Sequence, residues 1–402
     1  METYAQVDLT ALAHNLAIMR ALTGRLILLP VKANAYGHGL AARPGDPGAR
    51  NQPPASGPAS SEPPARTAVL AQYVEQHRLA DWFGVASVDE GADLRQAGIA
   101  SPILKLSPAA PEDLDRAIAA ALTLTVADAA AVDQVGRAAD RLGCLVDVHL
   151  KVDTGMRRIG TEPVQAPEVA ALIEARPNLS LTGVFTHLAA ADDPAQDDFT
   201  TAQLAVFDRA IAATHDRIGR RIGLIHAANS AGVLRFPEAW YDLVRPGIAS
   251  FGYPPCPPSD RLASREQPDF RPVLSLVSHV SFVKAIRAGE TVSYGRTWTA
   301  PTDTRLATIP IGYGDGYTRR LSNQAEVLIA GRRYHQVGTI CMDQIMVDLG
   351  PDSAVLPGQP VTLIGQDGPE RIGADDLGRL TGTIPYEILT GLAARVPRVY
   401  VS

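Results

Sequence analysis

Cysteine is scarce: three residues in 402, Cys144, Cys256 and Cys341, lie far apart and form no CxxC pair. That spacing argues against a disulfide framework or a zinc site and makes a reducing compartment the default expectation. No window approaches the roughly eighteen apolar residues of a membrane helix. The N-terminal stretch Met1-Glu2-Thr3-Tyr4-Ala5-Gln6-Val7-Asp8 has no basic region leading into an apolar run, so a soluble, cytoplasmic protein with no membrane partner is expected. A basic block is missing as well. Lys and Arg total 37 against 43 Asp and Glu, leaving a net charge of −6, which argues against nonspecific nucleic-acid binding. One segment lacks apolar side chains almost entirely. From about 42 to 66 the chain is dominated by Pro, Gly, Ser and Ala, too little to offset the entropy of ordering, and it reads as a flexible surface insertion. A partner-binding polyproline segment is the alternative, without a basic-flanked PxxP core to support it.

What is present is a regular alternation. Apolar, β-branched runs fall at 26–31, Trp82–Ala86, Pro102–Leu106, Leu122–Val126, Leu145–Lys151, Leu181–Thr186, Gly223–Ala227 and Tyr241–Val244. Amphipathic stretches lie between them, at Ala68–Arg78, Asp89–Ala97, Pro111–Ala121, Ala127–Leu142, Ala166–Ala175 and Phe199–Ile218. Eight strands separated by helix-length crossovers are the count for an α/β fold of the closed (β/α)8 type. A doubly wound open sheet competes, but its glycine fingerprint would follow the first strand, where Lys32 stands instead. Beyond about Gln267 the runs become short and broken by Gly, Pro and Asp: Val273–Val283, Arg305–Ile309, Glu326–Ile329, Arg333–Val337, Gln344–Leu349 and Val361–Ile364. Helical periodicity returns only at Ala374–Leu380 and Tyr386–Ala394. The expected organisation is a barrel over 8–266 and a mainly β domain over 267–402, which the opening strand at 1–7 could join.

Lys32 ends the run Leu26-Ile27-Leu28-Leu29-Pro30-Val31. A partly desolvated amine there would have a lowered pKa, suited to a Schiff-base nucleophile and proton carrier; a snorkelling lysine is the plainer alternative. The other unusual polar residues also follow strand ends, where a barrel builds its site. They are 151–158 (KVDTGMRR), Thr186-His187, 226–232 (HAANSAG) and 244–248 (VRPGI). Ser230 with the Gly247 and Ile248 amides suits a phosphate. A lysine, a phosphate cradle and polar ring contacts together indicate pyridoxal 5'-phosphate; a sugar-phosphate or nucleotide site, with Lys32 a mere cation, stays open. No metal ligand set is expected.

The ordered set VKANAYGHG (31–39), KVDTGMRRIG (151–160), HAANSAG, VRPGI, VSYGRTW (292–298), IGYGDGY (311–317), CMDQ (341–344) and IPYE (384–387) closely resembles the alanine racemases. The resemblance runs over nearly the whole chain except the Pro-rich segment. It implies a pyridoxal-phosphate isomerase interconverting L- and D-alanine, which supplies D-alanine for peptidoglycan. It implies that Lys32 carries the cofactor and acts on one face of the α-carbon, with Tyr294 on the other. Arg245 is implied to face the pyridine nitrogen, with His187 hydrogen-bonded behind it. Tyr36, Ser230, Gly247, Ile248 and Tyr386 correspond to phosphate contacts. Arg158 matches a residue near the substrate carboxylate and the cofactor's phenolic oxygen, and the Met342 amide a further carboxylate contact. Lys151 matches a position carbamylated in many relatives; a plain lysine paired with Asp153 is the alternative. Asp192, Tyr313 and Arg319 match residues of the substrate entrance. Thr339 departs from the pattern, since relatives often carry arginine there. The family also implies a homodimer whose β domain completes the partner's barrel site. Rivals are a basic amino-acid decarboxylase, which gives Tyr294 no role, an exported racemase of broad specificity, and a noncatalytic pyridoxal-phosphate carrier, which would lack the region 268–402.

Overall fold

The computed structural model describes residues 2–39, 68–256 and 268–402; the segment expected to be a flexible insertion lies outside the described residues. The chain divides into two compact units. One is built from the described residues of 12–35 and 68–271, the other from 2–11, 36–39 and 272–402.

The first unit is a sheet of eight parallel strands. In chain order they are Leu26–Pro30, Trp82–Val85, Ile103–Lys105, Thr123–Val126, Val146–Lys151, Leu179–Phe185, Leu224–His226 and Leu243–Val244. Each pairs with the next in space, and the last returns to the first through Leu26↔Leu243 and Ile27↔Val244. The remaining seam is bridged by Asp242 N–H donating to the Ile225 carbonyl at 3.0 Å and Arg245 N–H to Ala228 at 2.9 Å. The runs are continuously apolar because both faces of a parallel sheet are covered; Leu28, Leu104 and Leu243 pack together at its centre.

Crossover helices carry local start and stop signals. Val88–Gln96 begins with a capping box in which Ser87 accepts from the Glu90 N–H and Glu90 reaches back to the Ser87 N–H. It buries Val88, Gly91 and Leu94, three residues apart on one face. Ala129–Leu142 is capped by Asp128 and stopped by Gly143 at φ 63°. These features hold the strand ends, and so the rim, in fixed register.

The second unit is mainly β. Its sheet runs Phe282–Ile286, Thr304–Ile309, Ile345–Gly350, Arg332–Val337, Glu326–Ile329, Pro360–Asp367, Leu274–His279, Tyr4–Asp8 and Arg398–Val401. The opening strand thus pairs antiparallel with Leu274–His279 and parallel with Arg398–Val401. The run expected to be one strand over 273–283 is two. Val280 N–H donates to Gln359 and Ser281 N–H to Thr308, so the chain changes sheet partners between these residues. Among the described residues no helix is long and apolar enough to cross a membrane.

Candidate active site

Lys32 follows the first barrel strand, and the turn after it has an unusual shape. Ala33, Asn34, Ala35 and Tyr36 have φ of 53°, 57°, 51° and 54°, a left-handed turn made without glycine. Such a conformation costs each L-residue roughly 1 kcal/mol or more, so surrounding contacts must impose it. Ala35 N–H donates to the Val31 carbonyl at 2.8 Å. Ala33 N–H donates to Glu90 Oε1 at 2.7 Å, while Glu90 Oε2 accepts from Ala86 at 2.8 Å and Ser87 at 3.2 Å. The residue that caps the next helix therefore also pins the lysine turn.

The Lys32 amine is depressed below its ordinary value, first by burial, then by the nearby Arg158 charge; Glu90 pushes it back up and Arg245 down again. Lys151, the last residue of the fifth strand, is held down to about 8 by burial and by Arg245, Arg158 and Lys32, with Asp153 opposing. Its Nζ lies 5.2 Å from the Phe185 ring centroid, and the Arg245 guanidinium carbon lies 5.5 Å from the same centroid. Asp153 Oδ1 accepts from the Gly155 and Arg157 N–H groups at 2.9 and 3.0 Å, which shapes the loop toward Arg158. Among the described residues Lys151 and Asp153 make no ion pair within 4.0 Å, so the direct pairing weighed for them is not what this geometry contains.

Arg245 is buried, with hydrogen bonds through both terminal nitrogens. It donates to His226 Nδ1 at 2.8 Å, to the Thr186 and Ala227 carbonyls at 2.7 and 2.9 Å, and to His187 Nδ1 at 3.3 Å. Burial lowers it to about 9, still charged at neutral pH. The contact expected from His187 is present, but His226 is the closer ring. His226 Nε2 then meets His149 Nδ1 at 3.0 Å. A guanidinium only donates, so His226 Nδ1 accepts, its Nε2 carries the hydrogen, and His149 Nδ1 accepts in turn. Burial and the Arg245 charge push all three histidines down, His149 to about 3, so they are neutral donors and acceptors.

Beside this network Ser230 Oγ accepts from the Gly247 and Ala249 N–H groups at 2.9 and 3.2 Å. Ser230, Gly247 and Ile248 are thus gathered at one corner of the rim. The fold brings Lys32, Lys151, Arg158, His187, Ser230, Arg245, Gly247 and Ile248 together on the barrel unit. Tyr36, Tyr294, Thr339, Met342 and Tyr386 belong to the other unit. There the Tyr36 and Tyr386 ring centroids lie 6.0 Å apart, and burial pushes the Tyr36 phenol up. Tyr294 and Met342 are 71% and 53% exposed.

Family models for the alanine racemase N-terminal domain and C-terminal domain match residues 66–255 and 273–400. The chain belongs to the alanine racemase family. It is 43% identical over 400 residues to the alanine racemase of Cutibacterium acnes, covering 99% of this chain and 98% of that one. The Symbiobacterium thermophilum alanine racemase is 40% identical over 399 residues, with 99% and 97% coverage. Among solved structures, the alanine racemase of D-cycloserine-producing Streptomyces lavendulae aligns with TM-score 0.85 and 33% identity over 100% and 97% of the two chains. The Bacillus anthracis alanine racemase with bound L-Ala-P aligns at 0.84 and 33%, over 100% and 95%. Membership makes the chain an isomerase acting as an amino-acid racemase, on the barrel-plus-β architecture of that family.

Sequence reading missed four polar residues at this rim. Glu90 was visible only as half of the Ser87–Glu90 capping box. His226 stood inside the quoted HAANSAG run without a role. His149 alternates into the barrel from the fifth strand. Lys105, at the end of the third strand, is buried but donates to the Ser107 carbonyl and hydroxyl at 3.0 Å and the Pro108 carbonyl at 3.1 Å. Those bonds make it a structural clasp.

Proposed function

We propose that the chain interconverts L- and D-alanine using pyridoxal 5'-phosphate, with Lys32 and Tyr294 as opposed proton carriers, in the cytoplasm and in supply of D-alanine for peptidoglycan. The observation that carries this reading is a depressed amine, Lys32, on the same rim as a buried guanidinium and a serine–amide cluster. The donor set fits the cofactor. Ser230 and the Gly247 and Ile248 amides would hold a phosphate; Arg245 would face a ring nitrogen, with His187 alongside; Lys32 would attach the aldehyde carbon. When bound, the cofactor supplies an electron sink that weakens the substrate's α C–H bond.

The protein's residues do the rest. Arg245 keeps its proton at neutral pH, so it would donate a hydrogen bond to the ring nitrogen without charging it, which would moderate the sink and limit side reactions. Arg158 and the Met342 amide would orient the substrate carboxylate. Burial and neighbouring cations make the Lys32 amine easier to deprotonate, as a proton acceptor near neutral pH must be. A single base would return the proton to the face it left, whereas Tyr294 opposite Lys32 allows inversion. Lys151 is carbamylated in this reading, which replaces a cation crowded by three others with an anion that steadies Arg158. The exposed Tyr294 and Met342 act in a homodimer, against the barrel of the partner copy.

Purified, cofactor-loaded protein given L-alanine in deuterated water tests the reading. D-alanine carrying α-deuterium is expected. Tyr294→Phe should chiefly lose abstraction from L-alanine, and Lys32→Ala should lose covalent cofactor attachment. A loaded protein that forms no D-alanine would sink the proposal.

A further inference from the structure

We infer that Thr339 is the positioning residue for Tyr294, acting through the backbone of the loop that carries it; the inference rests on the two-base reading above. Tyr294 sits in the loop 293–297 between the paired strands Thr291–Val292 and Trp298–Thr299. That loop is strained on both sides of the tyrosine, with Ser293 at φ 65° and Arg296 at φ 51°. Non-glycine residues keep such angles only where neighbours over-determine them. The neighbour here is the segment 338–339. Gly338 presses so closely that a Cβ on it would lie 2.8 Å from the Val292 oxygen and 2.9 Å from Ser293 Cβ. Thr339, only 4% exposed, donates its hydroxyl to the Tyr294 carbonyl at 2.8 Å and accepts the Ser293 hydroxyl on its own carbonyl at 2.5 Å.

Donor bookkeeping gives these bonds a direction. Asn323 Oδ1 accepts from the Gly338 N–H at 2.6 Å, which fixes the amide orientation, so Nδ2 donates to Thr297 Oγ1 at 3.0 Å. Thr339 spends its hydrogen on Tyr294, so across the 3.3 Å contact between the two threonine hydroxyls Thr297 donates and Thr339 accepts. The chain runs one way, Asn323 to Thr297 to Thr339 to the Tyr294 carbonyl. It anchors the backbone of an otherwise exposed side chain. The short Thr339 hydroxyl reaches the loop while staying buried beneath it.

Thr339→Val keeps the shape and removes the hydroxyl; Thr339→Ser keeps the hydroxyl. Both are compared with wild type in deuterated water by two readouts. One is conversion of L- to D-alanine, which needs Tyr294. The other is α-deuterium uptake into D-alanine without inversion, which needs only Lys32. Losing one buried hydrogen bond should slow conversion by the valine variant about tenfold. Its uptake into D-alanine should persist, and the serine variant should stay close to wild type on both readouts. The inference is overturned if the valine variant converts like wild type, if it loses both activities together, or if serine fails as badly as valine. Absence of conversion by the wild type would instead overturn the two-base reading, and the inference with it.

Discussion

Lys151 concentrates the electrostatic problem of the rim in one side chain. A lysine held down to about 8 by burial, Arg245, Arg158 and Lys32 has a larger neutral fraction near neutral pH than an ordinary lysine. Only the neutral amine attacks carbon dioxide, forming a carbamate anion and releasing a proton. The product answers the crowding, since of the charges acting on Lys151 only Asp153 is an anion. The expected result is a carbamate resonance after incubation with ¹³C-bicarbonate, fading as pH falls, and missing from Lys151→Arg. The pH sense follows from linkage. Unmodified, the folded chain releases the Lys151 proton at about 8 and the unfolded chain only near 10.4. Stability from this group would therefore rise with pH across that window and be flat below it. Carbamylation keeps the rise and adds a stabilisation that grows with dissolved bicarbonate, because the folded chain alone holds the carbamate. An absent signal, together with a stability curve that added bicarbonate leaves unchanged, would show a plain lysine.

At the level of elements, the left-handed turn after the first strand links two pieces of chain that are distant in sequence. Glu90 supplies the link: one oxygen for Ala33, the other for Ala86 and Ser87. Glu90→Gln would place an NH2 group against one set of N–H donors, costing about 1–3 kcal/mol. It would also remove the carboxylate that raises Lys32. The Lys32 pKa should fall further, so attachment of pyridoxal phosphate to the cofactor-free variant, followed by absorbance, should begin at lower pH than in wild type, with a lower melting temperature. An unchanged profile would remove Glu90 from the account. The barrel strands were legible because runs such as Leu26–Pro30 and Val146–Lys151 are apolar and flanked by helix signals. The turn was not, because Ala, Asn, Ala and Tyr carry no local preference for four positive φ angles; a contact from Glu90, more than fifty residues on, pins its start at Ala33. The loop around Tyr294 was hidden for the same reason, and its flanking strands have only two residues each. His187 was legible as a rim histidine. That His226 is the ring nearest Arg245 depends on adjacent strand ends, which only folding sets side by side.

On the scale of the whole molecule, the two sets of proposed site residues differ in exposure. Apart from the exposed Arg158, the barrel carries its chemistry on buried or half-buried groups, whereas Tyr294 and Met342 stand open to water. Proton transfer by a phenol gains from a dry, electrostatically ordered setting, and a second copy of the chain can provide it. A two-fold dimer would give each site Lys32 from one chain and Tyr294 from its partner. Complementation separates this from a site built within one chain. Lys32→Ala and Tyr294→Phe are each expected to be deficient in converting L-alanine alone. Co-expressed, they should form mixed dimers in which one site has both wild-type residues, restoring about a quarter of wild-type activity by random pairing. The restored activity should copurify with dimers carrying one of each differently tagged chain. If mixed dimers form but stay as inactive as the parents, both residues must come from the same chain, and the shared-site arrangement is wrong.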